Sequence, residues 1–297
     1  MPEYFSVEAV VLQSRPLGEA DNLLTLYTRE AGRFNAAARG VRKPRSHLVS
    51  LAQPFVHARL YLFRGRTLPG LAQGEVLQAF RGLRGDPALW AAANVVADVC
   101  QALTLSQEPN VSLFQLLLWV LQVLEATAPG FRQLRPSPAP EGAPGPPRQA
   151  LVAQVQALSV FVLAALRILG FGPHCQDCVE CHRPVTGEGA FGPAAGGLLG
   201  PECAGRDPSA IRLNAAAVRL LQTEDRAAAQ LAQRSQSEGG LPEECGLQWP
   251  DPQSGVSATG GCWPEGAAVA QALCRFVEQQ AERPLRSWSV WEQIALA

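Results

Sequence analysis

Apolar residues come in short runs up to about residue 80 and at helical spacing from Asp86-Pro87 onward, so the chain changes period once along its length. A chain patterned in this way folds as a β part followed by an α part. The runs 7–13, 23–28, 34–41, 55–63 and 68–80 are rich in Val, Leu, Phe and Tyr and are separated by Gly, Pro and charged turns, which predicts about five strands. Strands this compact suit a small barrel. The OB-fold is a barrel of this size that binds oligonucleotides, and an SH3-like barrel is the alternative.

Beyond Asp86, the stretches 88–105, 111–126, 150–169, 211–233 and 267–283 read as helices. Residues 129–147 are proline-rich and cannot continue a helix, so they predict a mobile loop, and 235–266 is loop-like. The apolar stretch 150–171 is long enough to cross a membrane, but it contains Gln154, Gln156 and Arg167, and a buried bundle helix is the expectation. The start of the chain has no basic, apolar leader, which predicts a cytoplasmic protein with no membrane partner. The resulting fold class is mixed, β then α. It comprises a barrel over 1–85, a helical domain over 86–172 and 207–297, and a metal-binding module over 173–206 set into the helices.

The net charge of -1 conceals a strong asymmetry. Up to residue 85 there are twelve cations against six acids, a balance of +6, while the remainder carries -7. A basic first domain implies an anionic partner. Its candidate phosphate-binding residues are Arg33, Arg39, Arg42, Lys43, Arg45, Arg64 and Arg66. Arginine forks grip phosphates, and Phe34, Phe55, Tyr61 and Phe63 lie among them as candidate stacking platforms, a combination that favours single-stranded nucleic acid, while alternation along the strands favours core packing for each aromatic taken singly.

Cys175, Cys178 and Cys181 follow one another at three-residue steps, and Cys203 comes after a glycine-rich segment. This spacing predicts one structural Zn2+ site with four thiolate ligands. His174 and His182 flank it as candidate substitutes. A four-thiolate site has no open position, so it supports folding and not hydrolysis. Cys100 and Cys274 lie on apolar helical stretches as core residues, and Cys245 and Cys262 offer a weaker candidate for a second site.

Lys43 is the single lysine and follows no phosphate-loop glycine pattern, which excludes that class of ATPase. Gly187, Gly189 and Gly192 match G-x-G-x-x-G but lack the strand-then-helix context, and the chain carries no catalytic motif built on its four histidines. No enzymatic activity is expected.

Several segments resemble the bacterial RecO family of recombination mediators. They are Gly18-Glu19-Ala20-Asp21, Gly32-Arg33-Phe34, Ala38-Arg39-Gly40-Val41-Arg42 and Leu51-Ala52-Gln53-Pro54-Phe55, then Leu166 to Gly172 before the cysteines and Phe191 to Gly197 before Cys203. The likeness runs to about Arg206 and is loose beyond it. It implies an N-terminal OB-fold, a helical domain and a zinc module. It also implies binding of single- and double-stranded DNA, annealing of complementary strands together with RecR, and loading of RecA onto DNA coated by single-stranded-DNA-binding protein, in the cytoplasm at the nucleoid. The family often pairs two C-x-x-C units, whereas here Gly200 stands three residues before Cys203, so Cys175 is expected to supply the missing thiolate. The alternatives are a zinc-containing RNA-binding or transcription-associated OB-fold protein, and behind it a zinc enzyme, which would need fewer than four thiolates.

Overall fold

The computed structural model describes residues 3–128, 146–236 and 263–296. Of the expected loops 129–147 and 235–266, residues 129–145 and 237–262, with Cys245 and Cys262, lie outside the described residues, whereas Pro146 and Trp263 already open helices and Ser235 and Gln236 end one.

Five strands form the first unit: β1 (Tyr4–Leu17), β2 (Asp21–Thr28), β3 (Gly32–Ala38), β4 (His57–Phe63) and β5 (Gly70–Gln78). Antiparallel pairing joins β2 to β1 and β3, and β4 to β1 and β5. A parallel contact at Ala37 and Gly70 closes the barrel. Alternate residues point inward, so Val7, Ala9, Val11, Leu24, Leu26, Phe34, Leu60 and Leu62 form a barrel core of their own. The opposite face of β1 and β2 is also apolar. Val10, Leu12 and Tyr27 join Phe55 in a second, larger core, with Tyr27 stacked on Phe114 at 6.5 Å and Phe55 edge-on to Trp90 at 5.2 Å.

That larger core belongs to the helices α1 (Arg81–Gly85), α2 (Pro87–Leu103), α3 (Val111–Ala126), α4 (Pro146–Ile168), α5 (Ala215–Gln236), α6 (Trp263–Ala281) and α7 (Arg286–Leu296). Asp86 caps α2 by accepting from the amides of Ala88 and Leu89, with Pro87 at the first helical position, and Asn110 caps α3 through the Leu113 amide. The long apolar helix α4 lies among α2, α3, α5 and α6. It is the centre of a bundle.

Between α4 and α5 lies a three-stranded sheet of β6 (Gly189–Gly192), β7 (Gly197–Leu199) and β8 (Ile211–Leu213), in the order β7-β6-β8. One expectation changes here. Residues 211–213 pair with β6 instead of opening a helix, and α5 starts only after Asn214, whose side chain caps it through the Ala217 amide. The glycines of the G-x-G-x-x-G match fall in or beside strand β6, with no helix after them to bind a phosphate. Phe191 of β6 packs edge-on against Phe276 of α6, so the small sheet shares the helical core.

One buried carboxyl should tie the stability of the bundle to pH. Glu224 of α5 is buried, with Ser159 of α4 as its polar neighbour, and among the described residues neither carboxyl oxygen finds a full hydrogen-bond partner. Burial pushes its pKa well above the usual carboxyl value, so the folded state holds the proton that the unfolded chain releases near pH 4.3. The contribution is complete below that pH and declines as pH rises towards the folded-state value, by about 1.4 kcal/mol per pH unit. Glu224→Gln should remove this decline, and chemical denaturation from pH 5 to 8 should show the variant gaining on the wild type as pH rises. Parallel curves would show that Glu224 does not titrate between the two states.

Candidate nucleic-acid interface and metal centre

Three connections meet at one end of the barrel. The pairing of Asn22 with Ala38 sets the β1–β2 turn beside the end of β3, and the pairing of Gly70 with both Ala37 and Phe63 sets the β4–β5 turn on its other side. The loop carrying Arg39, Arg42, Lys43 and Arg45 leaves β3 between them. It is a series of turns held by hydrogen bonds from the Gly40 amide to Asp21 Oδ1 (2.7 Å) and from the Arg42 amide to the Ala20 carbonyl (2.9 Å). Val41, Leu48 and Leu51 point into the barrel core, which leaves the four cations between and beside them exposed. Arg64 and Arg66 stand exposed on the β4–β5 turn. Arg64 pairs with Glu3 at 3.1 Å, but both side chains are exposed and such a pair is weak.

Arg33 stands apart from the other candidate cations. Its guanidinium donates to the Thr104 carbonyl (2.9 Å) and Oγ1 (3.4 Å), and its own carbonyl accepts from the Gln107 amide and the Ser106 hydroxyl. It therefore joins the barrel to the α2–α3 connection and is not presented with the other cations. Gly32 beside it has a φ of 63°, and a Cβ there would lie 2.2 Å from the Glu108 carbonyl oxygen, so only glycine fits this joint.

Two of the four aromatics are core residues, as strand alternation favours. Phe34 lies in the barrel core and Phe55 in the helical core, because inward alternation and the contact with α2 take them from the surface. Tyr61 is exposed, and Phe63 packs edge-on against the exposed Tyr4 at 6.3 Å. Sequence reasoning assigned no role to Asp21, although an Asp in a tight turn after glycine is a signal for a side chain that binds backbone amides.

The cysteines are placed by the small sheet. The sulfurs of Cys178, Cys181 and Cys203 lie within 4.8 Å of one another. Thiolates around a tetrahedral zinc ion at 2.3 Å stand about 3.8 Å apart, so the trio suits one ion. Burial would raise the Cys178 pKa, but the amides of Gly200, Cys181 and Glu180 outweigh it and hold the thiol at about 7. Burial and the neighbouring thiols push Cys203 up to about 11.

The fourth expected ligand is not brought to this group. Residue 174 pairs with Gly197 as extended backbone, and Cys175 lies buried with its thiol on the Pro173 carbonyl. Burial and Asp225 raise its pKa well above the usual thiol value. Asp225 in turn binds Arg167 and Gln176. His174 and His182 both face Asp177, the second with Nδ1 4.0 Å away, and neither joins the three sulfurs. Cys100 and Cys274 are buried in the helical core.

Against known proteins, residues 1–80 match the family model described as Recombination protein O N terminal, and residues 149–239 the one described as Recombination protein O C terminal. The chain is 33% identical over 207 residues to the DNA repair protein RecO of Moorella thermoacetica, covering 69% of this chain and 68% of that protein. It is 33% identical over 218 residues to the RecO of Pelotomaculum thermopropionicum, covering 73% and 75%. To the RecO of Desulfitobacterium hafniense it is 28% identical over 294 residues, covering 98% and 90%.

Proposed function

The chain belongs to the RecO family and so serves DNA repair and recombination, and from that premise we propose that it acts as a strand-annealing mediator whose barrel end binds the phosphate backbone. The observation that carries this reading is the convergence of exposed Arg39, Arg42, Lys43, Arg45, Arg64 and Arg66 on two neighbouring connections, β3–β4 and β4–β5, at one end of a basic barrel. The strand order, closed by a parallel β3–β5 contact, supports an OB-fold, whose turns between strands 1 and 2 and strands 4 and 5 commonly hold oligonucleotides. In this chain part of the β2–β3 outer face is covered by α3 and the α2–α3 connection, through Tyr27 and Arg33. That leaves the turn end as the open route.

Complementary strands repel each other through their phosphates, and a +6 barrel screens that repulsion without needing nucleotide. The protein binds single- and double-stranded DNA, works with RecR, and helps RecA onto strands coated by single-stranded-DNA-binding protein. On this reading the barrel is residues 1–85, the helical domain 86–172 and 207–297, and the intervening module holds a structural Zn2+ ion on Cys178, Cys181 and Cys203. The donors fit zinc because thiolates are its usual structural ligands, and when bound the ion would cross-link the two turns that carry them. In that place the ion serves folding, and the proposed activity rests on the barrel, so the protein acts as a mediator.

The test is annealing of two labelled complementary strands by the purified chain without nucleotide. Acceleration over the uncatalysed rate is expected, with RNA strands competing less well than DNA. No acceleration would overturn the mediator reading, and a preference for RNA would favour an RNA-binding role.

A further inference from the structure

We infer that this chain holds its metal ion with three thiolates and leaves the fourth position to a monodentate ligand from solution, because residue 200 is glycine. The inference rests on the metal reading above. Two turns carry the ligands, and they are built alike: the His182 amide reaches back to the Cys178 carbonyl at 2.8 Å, and the Ala204 amide reaches back to the Gly200 carbonyl at 3.0 Å. Position 200 therefore stands to Cys203 as Cys178 stands to Cys181, three residues ahead in an equivalent turn.

The space confirms the correspondence. A Cβ at residue 200 would lie 4.0 Å from Cys178 Sγ, 3.9 Å from Cys178 Cβ and 3.8 Å from Val185 Cγ2, all ordinary contacts, so a side chain would fit beside the cluster. The backbone there also needs no glycine, since its φ is not in the left-handed region. Among the described residues the other candidate donors are engaged elsewhere: Cys175 at the Pro173 carbonyl, His174 and His182 at Asp177. Among the described residues no fourth Cys, His, Asp or Glu atom joins the three sulfurs.

A zinc or cobalt ion prefers four ligands, so the remaining position takes a small donor such as imidazole or a free thiol. Absorption spectroscopy of the full chain loaded with Co2+ under reducing conditions tests this. The wild type should show a three-thiolate spectrum that shifts on adding imidazole, and Cys175→Ser should leave that spectrum unchanged. Gly200→Cys should give a four-thiolate spectrum that imidazole does not move. Losing a group that merely orients a ligand already changes metal affinity about 10- to 100-fold, so gaining a thiolate should tighten binding against a competing chelator on the order of 100-fold or more. A wild-type spectrum that is already four-thiolate, or that changes with Cys175→Ser, would overturn the inference while leaving the metal reading intact. Failure of the wild type to take up Co2+ would overturn the metal reading itself.

Discussion

Replacing Arg39, Arg42, Lys43 and Arg45 together by glutamate should abolish strand annealing and weaken single-strand binding on the order of 100-fold at matched salt. The fold should survive. All four side chains are exposed, and the hydrogen bonds that shape their loop run from the backbone amides of Gly40 and Arg42 to Asp21 and Ala20. One side-chain contact is lost, from Arg42 Nη1 to the Gly18 carbonyl at 3.4 Å. The loop stays anchored because Val41, Leu48 and Leu51 remain in the barrel core. The variant reverses four charges on a domain whose balance is only +6, so repulsion replaces attraction where the turns meet. Annealing rate and a melting curve measured on the same preparation separate this outcome from unfolding. Undiminished annealing by a folded variant would place the DNA elsewhere.

The five strands and the position of α3 follow from patterns visible in the chain. Alternation marks the strands, and the caps Asp86-Pro87 and Asn110 mark where helices begin. What the sequence hid was the second use of the barrel's outer face. Val10, Leu12, Tyr27 and Phe55 look like barrel core residues, yet they pack on helices distant in sequence, and no local period distinguishes the two partners.

The same holds for Arg33. Nothing in its neighbourhood separates an arginine facing phosphate from one bound to Thr104, seventy-one residues away. The segments that carry the family resemblance prove to be joints as much as contacts: Asp21 holds the basic loop, and Gly32 and Arg33 seal the barrel to the helices. The cysteine set was legible in its spacing except at Cys175. Even three-residue steps suggested a continuous ligand run, whereas Cys175 follows the extended pairing of His174 with Gly197 and its thiol lies on the Pro173 carbonyl.

Cys178→Ser should lose stoichiometric zinc and lower the melting temperature of the helical part, because metal-binding energy in such a site is folding energy. The effect should spread beyond the module. Cys178, Val185, Phe191 and Leu199 belong to the same core as Phe276 and Leu221, so loosening the small sheet exposes the face of α5 and α6. The barrel has its own core and should be affected less, keeping single-strand binding within about threefold of the wild type, given that direct contacts dominate such binding. Metal analysis, calorimetry and a binding titration on one sample check the three parts. Zinc retained in full would remove Cys178 from the ligand set, and binding lost in step with zinc would show that the barrel depends on the module.

Cations at the barrel end that neutralise phosphates release counterions on binding, so the dependence of single-strand affinity on salt reports them. Each phosphate contact contributes about -0.7 to the slope of log affinity against log salt, so a chain using Arg39, Arg42, Lys43 and Arg45 should lose about 3 units of slope when the four are reversed. A wild-type slope steeper than that of the variant by this amount is the expected result. Equal slopes, with both proteins folded, would contradict the account.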